Sequence, residues 1–185
     1  MTFEEKTLES EYVYKGHILN LRKDKVTVIN GTSTREIIEH NGGAVLIAIN
    51  DAGKMIMVEQ YRKPVNRVVL EAPAGKIDQG EEPLKTAKRE LKEETGYTAK
   101  NVEFLTKIYP SVGYSEEALY IYLCTDLESG ETDFDENEAL DIKEFDIEEL
   151  YSLAMSGKIQ DGKTVIAILM VKCLKEEGKL QKYLK

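Results

Sequence analysis

Between Gly75 and Tyr97 the chain reads GKIDQGEEPLKTAKRELKEETGY, and this stretch restricts the fold more than any other. A glycine-bounded turn leads through Glu81 and Glu82 into a segment that opens on Pro83, continues in good helix formers and stops at Gly96. Proline is tolerated in the first turn of a helix, carboxylates favour the positive end of its dipole, and glycine takes the left-handed conformation that ends it. Leu84, Ala87 and Leu91 recur at i, i+3 and i+7, which predicts a buried stripe along one side. Any fold for this chain has to accommodate a strand, a turn and a helix in that order here.

The same helix is crowded with charge. Glu90 and Glu94, at i and i+4, share one flank, and Glu93 lies further round within reach of Arg89. Two carboxylates about 4 Å apart repel by roughly 4 kcal/mol at an effective dielectric of 20, so such crowding calls for a countercharge. Carboxylate oxygens without a neighbouring histidine or thiolate suit Mg²⁺, with Mn²⁺ as the alternative, and Mg²⁺ binds through a few carboxylates plus substrate phosphates. The competing reading is a solvated acidic helix laced with i,i+4 pairs. The fixed placing of Gly75, Glu81 and Gly96 around the glutamates weighs against it.

A chain of 185 residues, 42% of them hydrophobic, is long enough to bury a proper core. No apolar run is long enough for a bilayer, and MTFEEKTLES is acidic and polar where a signal peptide is basic and then apolar, so a cytoplasmic protein with no membrane partner is expected. Cys124 and Cys173 lie in apolar patterns, form no CxxC pair and read as reduced core thiols. The net charge of −9 argues against a nucleic-acid backbone as ligand. His17 and His40 lack a Ser or Cys in a nucleophile setting, which excludes a triad hydrolase and leaves them as surface or turn residues.

Tyr12–Tyr14 and Ile18–Leu21 read as a strand pair around Gly16, and Lys25–Ile29 and Ser33–His40 flank the hairpin signal Asn30-Gly31. Residues 1–40 are therefore expected to form a small antiparallel β unit, marginal on its own, and residues 41–185 the main domain. There Ala44–Ile49, Met55–Tyr61, Arg67–Glu71, Ala74–Ile77, Val102–Tyr109 and Ala118–Cys124 read as strands, and Leu127–Glu138 as an acidic loop. Two helices close the chain, Asp146–Met155 and Thr164–Glu177, the latter packing through Val165, Ile168, Leu169, Lys172 and Cys173. Met55, Met57 and Met170 are expected to fill core gaps. This order predicts an α/β fold, a mixed sheet sandwiched between helices.

The stretch from Gly75 to Tyr97 resembles the Nudix box, the signature of enzymes that hydrolyse nucleoside diphosphates linked to another moiety. Every polar position of that signature is filled, and Tyr97 stands where the family has an aliphatic residue. From about Tyr12 onward the chain is similar to the ADP-ribose pyrophosphatase branch, whose fold has the same α/β/α architecture. The resemblance implies metal binding by the Ala74 carbonyl, Glu90 and Glu94, with Glu93 as a further ligand or catalytic group and Arg89 orienting the glutamates. It draws the general base from a distant acidic loop, matched here by Asp135-Glu136-Asn137-Glu138, with Glu136 as base and Glu138 as an extra metal ligand, or the two exchanged.

The resemblance further implies that Arg35 and Arg62 hold the diphosphate and the ends of the substrate, and that Glu117 closes a substrate loop. In that loop Val112 stands where the branch has a proline linked to ADP-ribose preference. The expected reaction is Mg²⁺-dependent hydrolysis of ADP-ribose to AMP and ribose 5-phosphate. The alternatives are another nucleoside diphosphate sugar such as GDP-mannose, or a nucleotide-sensing module without turnover. In this branch the N-terminal unit is exchanged between two subunits, so a homodimer with composite sites is expected.

Overall fold

The computed structural model describes residues 3–134 and 139–183. The chain packs as two units, one running to Gly42 and taking in Tyr109–Ala118, the other made of Gly43–Ile108 and the chain from Leu119 on.

In the first unit β1 (Thr7–Lys15), β2 (Asn20–Val28) and β3 (Gly31–Glu39) form an antiparallel sheet in that order. Val28 lies opposite Gly31, so the turn residues are Ile29 and Asn30, one position earlier than the Asn30-Gly31 expected from sequence. The reason is local: Gly31 carries the positive φ, 119°, just after the turn, as in hairpins where an ordinary turn precedes a glycine. Every residue of β1 is exposed. The Tyr109–Ala118 segment attaches to β3 through two backbone bonds, Ile38 N–H to the Tyr114 carbonyl at 2.7 Å and Glu116 N–H to the Ile38 carbonyl at 2.9 Å.

The second unit contains β4 (Gly43–Ala48), β5 (Lys54–Arg62), β6 (Arg67–Glu71), β7 (Ala74–Lys76), α1 (Pro83–Thr95), β8 (Tyr97–Ile108), β9 (Leu119–Ser129), β10 (Leu140–Asp146), α2 (Ile147–Met155), α3 (Gly162–Glu176) and a 3-10 turn, Leu180–Tyr183. Its main sheet is mixed, in the order β7-β4-β9-β8, with β4 and β9 parallel. A second, antiparallel sheet runs β10-β5-β6. Strand β4 is buried at all six positions. Ala44, Leu46 and Ala48 pack with Ala87 and Leu91 of α1, while Val45 and Ile47 pack with Ala167, Ile168 and Val171 of α3. Helices on both faces explain why this strand reads as a continuous apolar run rather than an alternating one. Burying Leu46 or Ile47 in full stabilises the unit by about 1.5–3 kcal/mol each.

Several expectations are corrected. Leu84 is exposed, and Thr86 takes its place on the buried side of α1 with Ala87 and Leu91. On α3 the buried set is Thr164, Ala167, Ile168 and Val171, so Leu169 and Cys173 face outward. The helix is rotated because its first turn is pinned at Thr164, as described below. Cys124 is a buried free thiol, whereas Cys173 is an exposed one. β9 continues to Ser129 by pairing with Tyr97–Ala99, and Leu140–Asp146 is a strand that sequence alone did not reveal. His17 is exposed and His40 half-buried, its Nδ1 accepting from Gly42 N–H at 3.0 Å. Among the described residues no helix is long and apolar enough to cross a membrane.

Candidate active site

Helix α1 starts at Pro83, with Glu82 in extended conformation before it, and ends at Gly96, whose N–H bonds the Lys92 carbonyl and whose φ of 71° turns the chain out of the helix. Gly96 cannot carry a side chain for a second reason. A Cβ there would stand 2.7 Å from the Gly130 carbonyl oxygen.

Arg89 is the hub of the half-buried flank. Its Nη1 donates to Glu90 Oε1 at 2.7 Å and to Glu93 Oε2 at 2.8 Å, and its Nη2 donates to Glu81 Oε2 at 3.1 Å and to the Lys76 carbonyl at 3.3 Å. Glu81 is held from the other side by the Thr86 hydroxyl at 2.7 Å. The bonds from Arg89 and Thr86 outweigh the opposing effect of burial and pull the Glu81 carboxyl from its ordinary 4.5 down to about 2. Burial opposes the charge of Arg89, but the surrounding carboxylates win and its pKa is raised. One guanidinium thus bridges three carboxylates of the turn and helix and offsets part of their charge.

The inner flank belongs to Glu90 and Glu94. The Glu90 carboxylate lies directly against Gly75, where an added Cβ would stand only 1.7 Å from its Cδ. The glycine before the helix is therefore a space requirement of the carboxylate. Glu94 is 3% exposed, and its Oε2 accepts from Ala74 N–H at 3.0 Å. The structure thus brings Ala74, Arg89, Glu90, Glu93 and Glu94 together at one end of α1. Among the described residues no three acidic, histidine or cysteine side chains converge closely enough to hold a metal by themselves.

Glu136 and Glu138 lie outside the described residues. The chain leading to them is anchored by Asp133 N–H on the Glu93 carbonyl at 3.2 Å, and the chain leaving them resumes with Leu140 paired to Gln60. Both anchors belong to the second unit, one on the last turn of α1 and the other two residues from Arg62.

Arg62 was singled out by sequence, but its surroundings were not. Its Nε and Nη2 donate to Glu71 Oε1 and Oε2 at 2.7 and 2.9 Å, a two-pronged bond to a carboxylate that is 2% exposed. Lys163 also donates to Glu71 Oε2, and to Asp161 Oδ2 at 2.8 Å. Asp161 caps α3 by accepting from Thr164 N–H at 3.1 Å and from its hydroxyl at 2.6 Å, and the same hydroxyl accepts from Ala72 N–H at 2.8 Å. Burial pushes the Glu71 carboxyl up, yet the Arg62 bonds and the Lys163 charge hold it below its ordinary value. The Asp161 cap of α3 is a local signal that sequence could have offered, but no local motif marks Glu71 or Lys163. Only the fold brings them together.

The other two expected substrate residues lie in the first unit. Arg35 bonds Glu5 through Nε at 2.9 Å and also through Nη2, and its Nη1 reaches the Thr34 carbonyl at 2.8 Å. Glu117 lies 3.6 Å from His40 Nδ1, and its backbone N–H is bonded to the Ser115 hydroxyl at 3.1 Å. Val112 is 82% exposed.

Comparison with known proteins adds the following. The NUDIX domain model matches residues 39–167, and the model for the nucleoside diphosphate sugar hydrolase N-terminal domain matches residues 5–38. The chain is 41% identical over 184 residues to the ADP-ribose pyrophosphatase of Bacillus subtilis (strain 168), covering 98% of this chain and 99% of that one. It is also 41% identical over 169 residues to the methanol dehydrogenase activator of Bacillus methanolicus, covering 90% and 91%. A crystal structure of an ADP compounds hydrolase superposes with a TM-score of 0.84 at 24% identity, covering 97% of this chain and 98% of that one. That last likeness concerns the fold.

Proposed function

The chain belongs to the NUDIX family, and from this premise we propose that it is a hydrolase that splits the diphosphate bond of ADP-ribose into AMP and ribose 5-phosphate. One observation carries the reading: the Glu90 and Glu94 carboxylates lie against Gly75 and Ala74, Gly75 lacking a side chain that would collide with Glu90, and the Ala74 carbonyl is read as the third oxygen donor. The whole-length similarity to an ADP-ribose pyrophosphatase supports the choice of substrate.

The donor set fits a divalent cation, Mg²⁺ or Mn²⁺, held by Glu90, Glu94 and the Ala74 carbonyl and completed by substrate phosphates, as suits an ion that keeps few protein ligands. When bound, two or three such ions would neutralise the diphosphate and make a water acidic enough to attack phosphorus. Arg89 keeps Glu90 and Glu93 oriented, and its charge offsets their mutual repulsion. Arg62 takes a diphosphate oxygen, for which the planar guanidinium is well shaped. Glu136, or Glu138 in its place, accepts the proton of the attacking water, and the bond from phosphorus to the bridging oxygen breaks. The anchors at Asp133 and Leu140 support a base drawn from that loop.

The first unit serves dimerisation in this reading, with Arg35 completing the partner's site and Glu117 closing a substrate loop. Support comes from β1, exposed along its whole length with Leu8, Tyr12, Val13 and Tyr14 uncovered. A cytoplasmic location goes with two unpaired cysteines.

The test is release of AMP and ribose 5-phosphate from ADP-ribose with added Mg²⁺, alongside a panel that includes GDP-mannose. Glu90→Gln is expected to lose activity by about 10²-fold or more, since metal-mediated charge stabilisation is worth several kcal/mol. Parent-like turnover by Glu90→Gln would overturn the metal assignment, and a faster rate on GDP-mannose would overturn the substrate. Light scattering showing a fully active monomer would overturn the exchange of the first unit.

A further inference from the structure

We infer that Lys163, in the first turn of α3, is a positioning residue that sets the phosphate-binding edge of Arg62 through the buried carboxylate of Glu71. The inference rests on the reading of Arg62 as a diphosphate ligand.

Register makes the problem visible. Glu71 pairs with Val58, while Arg62 pairs with Arg67, so Arg62 and Glu71 sit at opposite ends of the β5–β6 hairpin. To make both bonds to Glu71, the Arg62 side chain has to run back along the hairpin. Ordering so long a side chain costs rotamer entropy. The pose therefore depends on a fixed acceptor. Glu71 supplies one, because it is 2% exposed and gripped from two directions.

The second grip is Lys163. Its ammonium lies between Glu71 Oε2 and Asp161 Oδ2, and Asp161 is itself locked by two bonds from Thr164. Thr164 in turn accepts from Ala72, two residues before Ala74. The start of α3 thus fixes Glu71 from behind and ties it to the backbone that leads into the metal-binding carbonyl. In front, Arg62 spends Nε and Nη2 on Glu71, and among the described residues Nη1 has no protein acceptor. A cavity of about 420 Å³ bordered by Arg62, Arg67 and Lys163, with Val65 and Val69 also in its wall, leaves room beside the guanidinium. A phosphate oxygen at Nη1 would then meet an arginine already aimed. Without Lys163, Glu71 keeps one partner and can follow Arg62 wherever it swings.

A double-mutant cycle on the full-length enzyme tests this, with parent, Lys163→Met, Arg62→Ala and the double variant compared in steady-state kinetics on ADP-ribose at saturating Mg²⁺. Lys163→Met is expected to raise KM about tenfold with kcat changed less than about threefold, the size seen when an outer support of a binding group is removed. In the Arg62→Ala background the same change is expected to shift KM by less than about twofold, and Lys163→Arg is expected to recover most of the loss. Binding of pyrophosphate with Mg²⁺, followed by calorimetry, runs the same cycle without turnover. A Lys163→Met effect of equal size with and without Arg62 overturns the inference while leaving Arg62 in its role. Parent-like KM and pyrophosphate affinity in Arg62→Ala overturn the Arg62 reading and the inference with it. A lower melting temperature with KM and pyrophosphate affinity unchanged marks Lys163 as a structural ion pair and also overturns it. Should Lys163→Met not fold, Lys163→Gln replaces it in the same cycle with the same expected outcomes.

Discussion

Arg89 and Arg62 both sit among carboxylates, but they acquire them differently. Arg89 draws Glu81, Glu90 and Glu93 from no more than eight residues away, on a flank that water reaches. Arg62 depends on the buried Glu71, and Glu71 in turn on the half-buried Lys163, 92 residues further along the chain. In the first region charges repel one another and the arginine relieves them, a modest gain in a high dielectric. In the second the shared acceptor, Glu71, has left water while its cations stay partly exposed, and removing the acceptor leaves Lys163 and Arg62 without their fixed partner. The same residue type therefore serves as a screen in one place and as a rigid fixture in the other.

The sharpest way to break this contrast is Glu71→Ala. Losing one partner of a buried pair costs about 3–5 kcal/mol, so urea denaturation should show a loss of that order, and a smaller one for Glu81→Ala, whose carboxylate is partly exposed. Equal losses would show that the two networks do not differ in kind.

Gly75→Ala probes the first region from inside. The new methyl would have to occupy the space of the Glu90 carboxylate, so activity on ADP-ribose should fall by about 10²-fold while the thermal midpoint moves little. A variant with parent activity would show that Glu90 works from another position.

Acid titration separates the regions more gently. The Glu81 carboxyl, pulled from 4.5 to about 2, contributes stability that is complete above 4.5 and is lost as the pH falls toward 2. Urea midpoints measured between pH 5 and 2 should therefore fall less steeply for Glu81→Gln than for the parent. Identical slopes would remove Glu81 from the account.

The smallest expected effect is at Leu84. Because it is exposed while Leu91 is buried, Leu84→Ala should lie within about 0.5 kcal/mol of the parent, whereas Leu91→Ala should lose about 2–5 kcal/mol. A large loss at Leu84 would mean that this side of α1 is covered in solution.

Legibility in the sequence followed the same divide. The limits of α1, the contact of Arg89 with Glu93, and the buried run of β4 are written in residues close to one another, where spacing and propensity decide. What the sequence did not reveal depends on distant partners. Leu140–Asp146 becomes a strand because β5 offers it an edge, since its own pattern of four exposed residues between two half-buried ones carries no strand signal. The buried side of α3 is chosen by the bond between Ala72 and Thr164, which no helical periodicity contains. Glu71 and Lys163 are unremarkable letters until the hairpin and the helix meet. The roles of Glu136 and Glu138 come from resemblance and remain proposals, as does the service of Arg35 to a partner site.

The unequal fate of the two thiols has a practical side. Burial raises the Cys124 thiol to about 12 and shields it, whereas Cys173 stands exposed on α3. A maleimide reagent near neutral pH should consequently modify the native protein at a single place, because the thiolate is the reacting form and only one sulfur is within its reach. That place is on the helix whose first turn holds Lys163. A spin label or fluorophore attached there would report on the helix without any engineered cysteine.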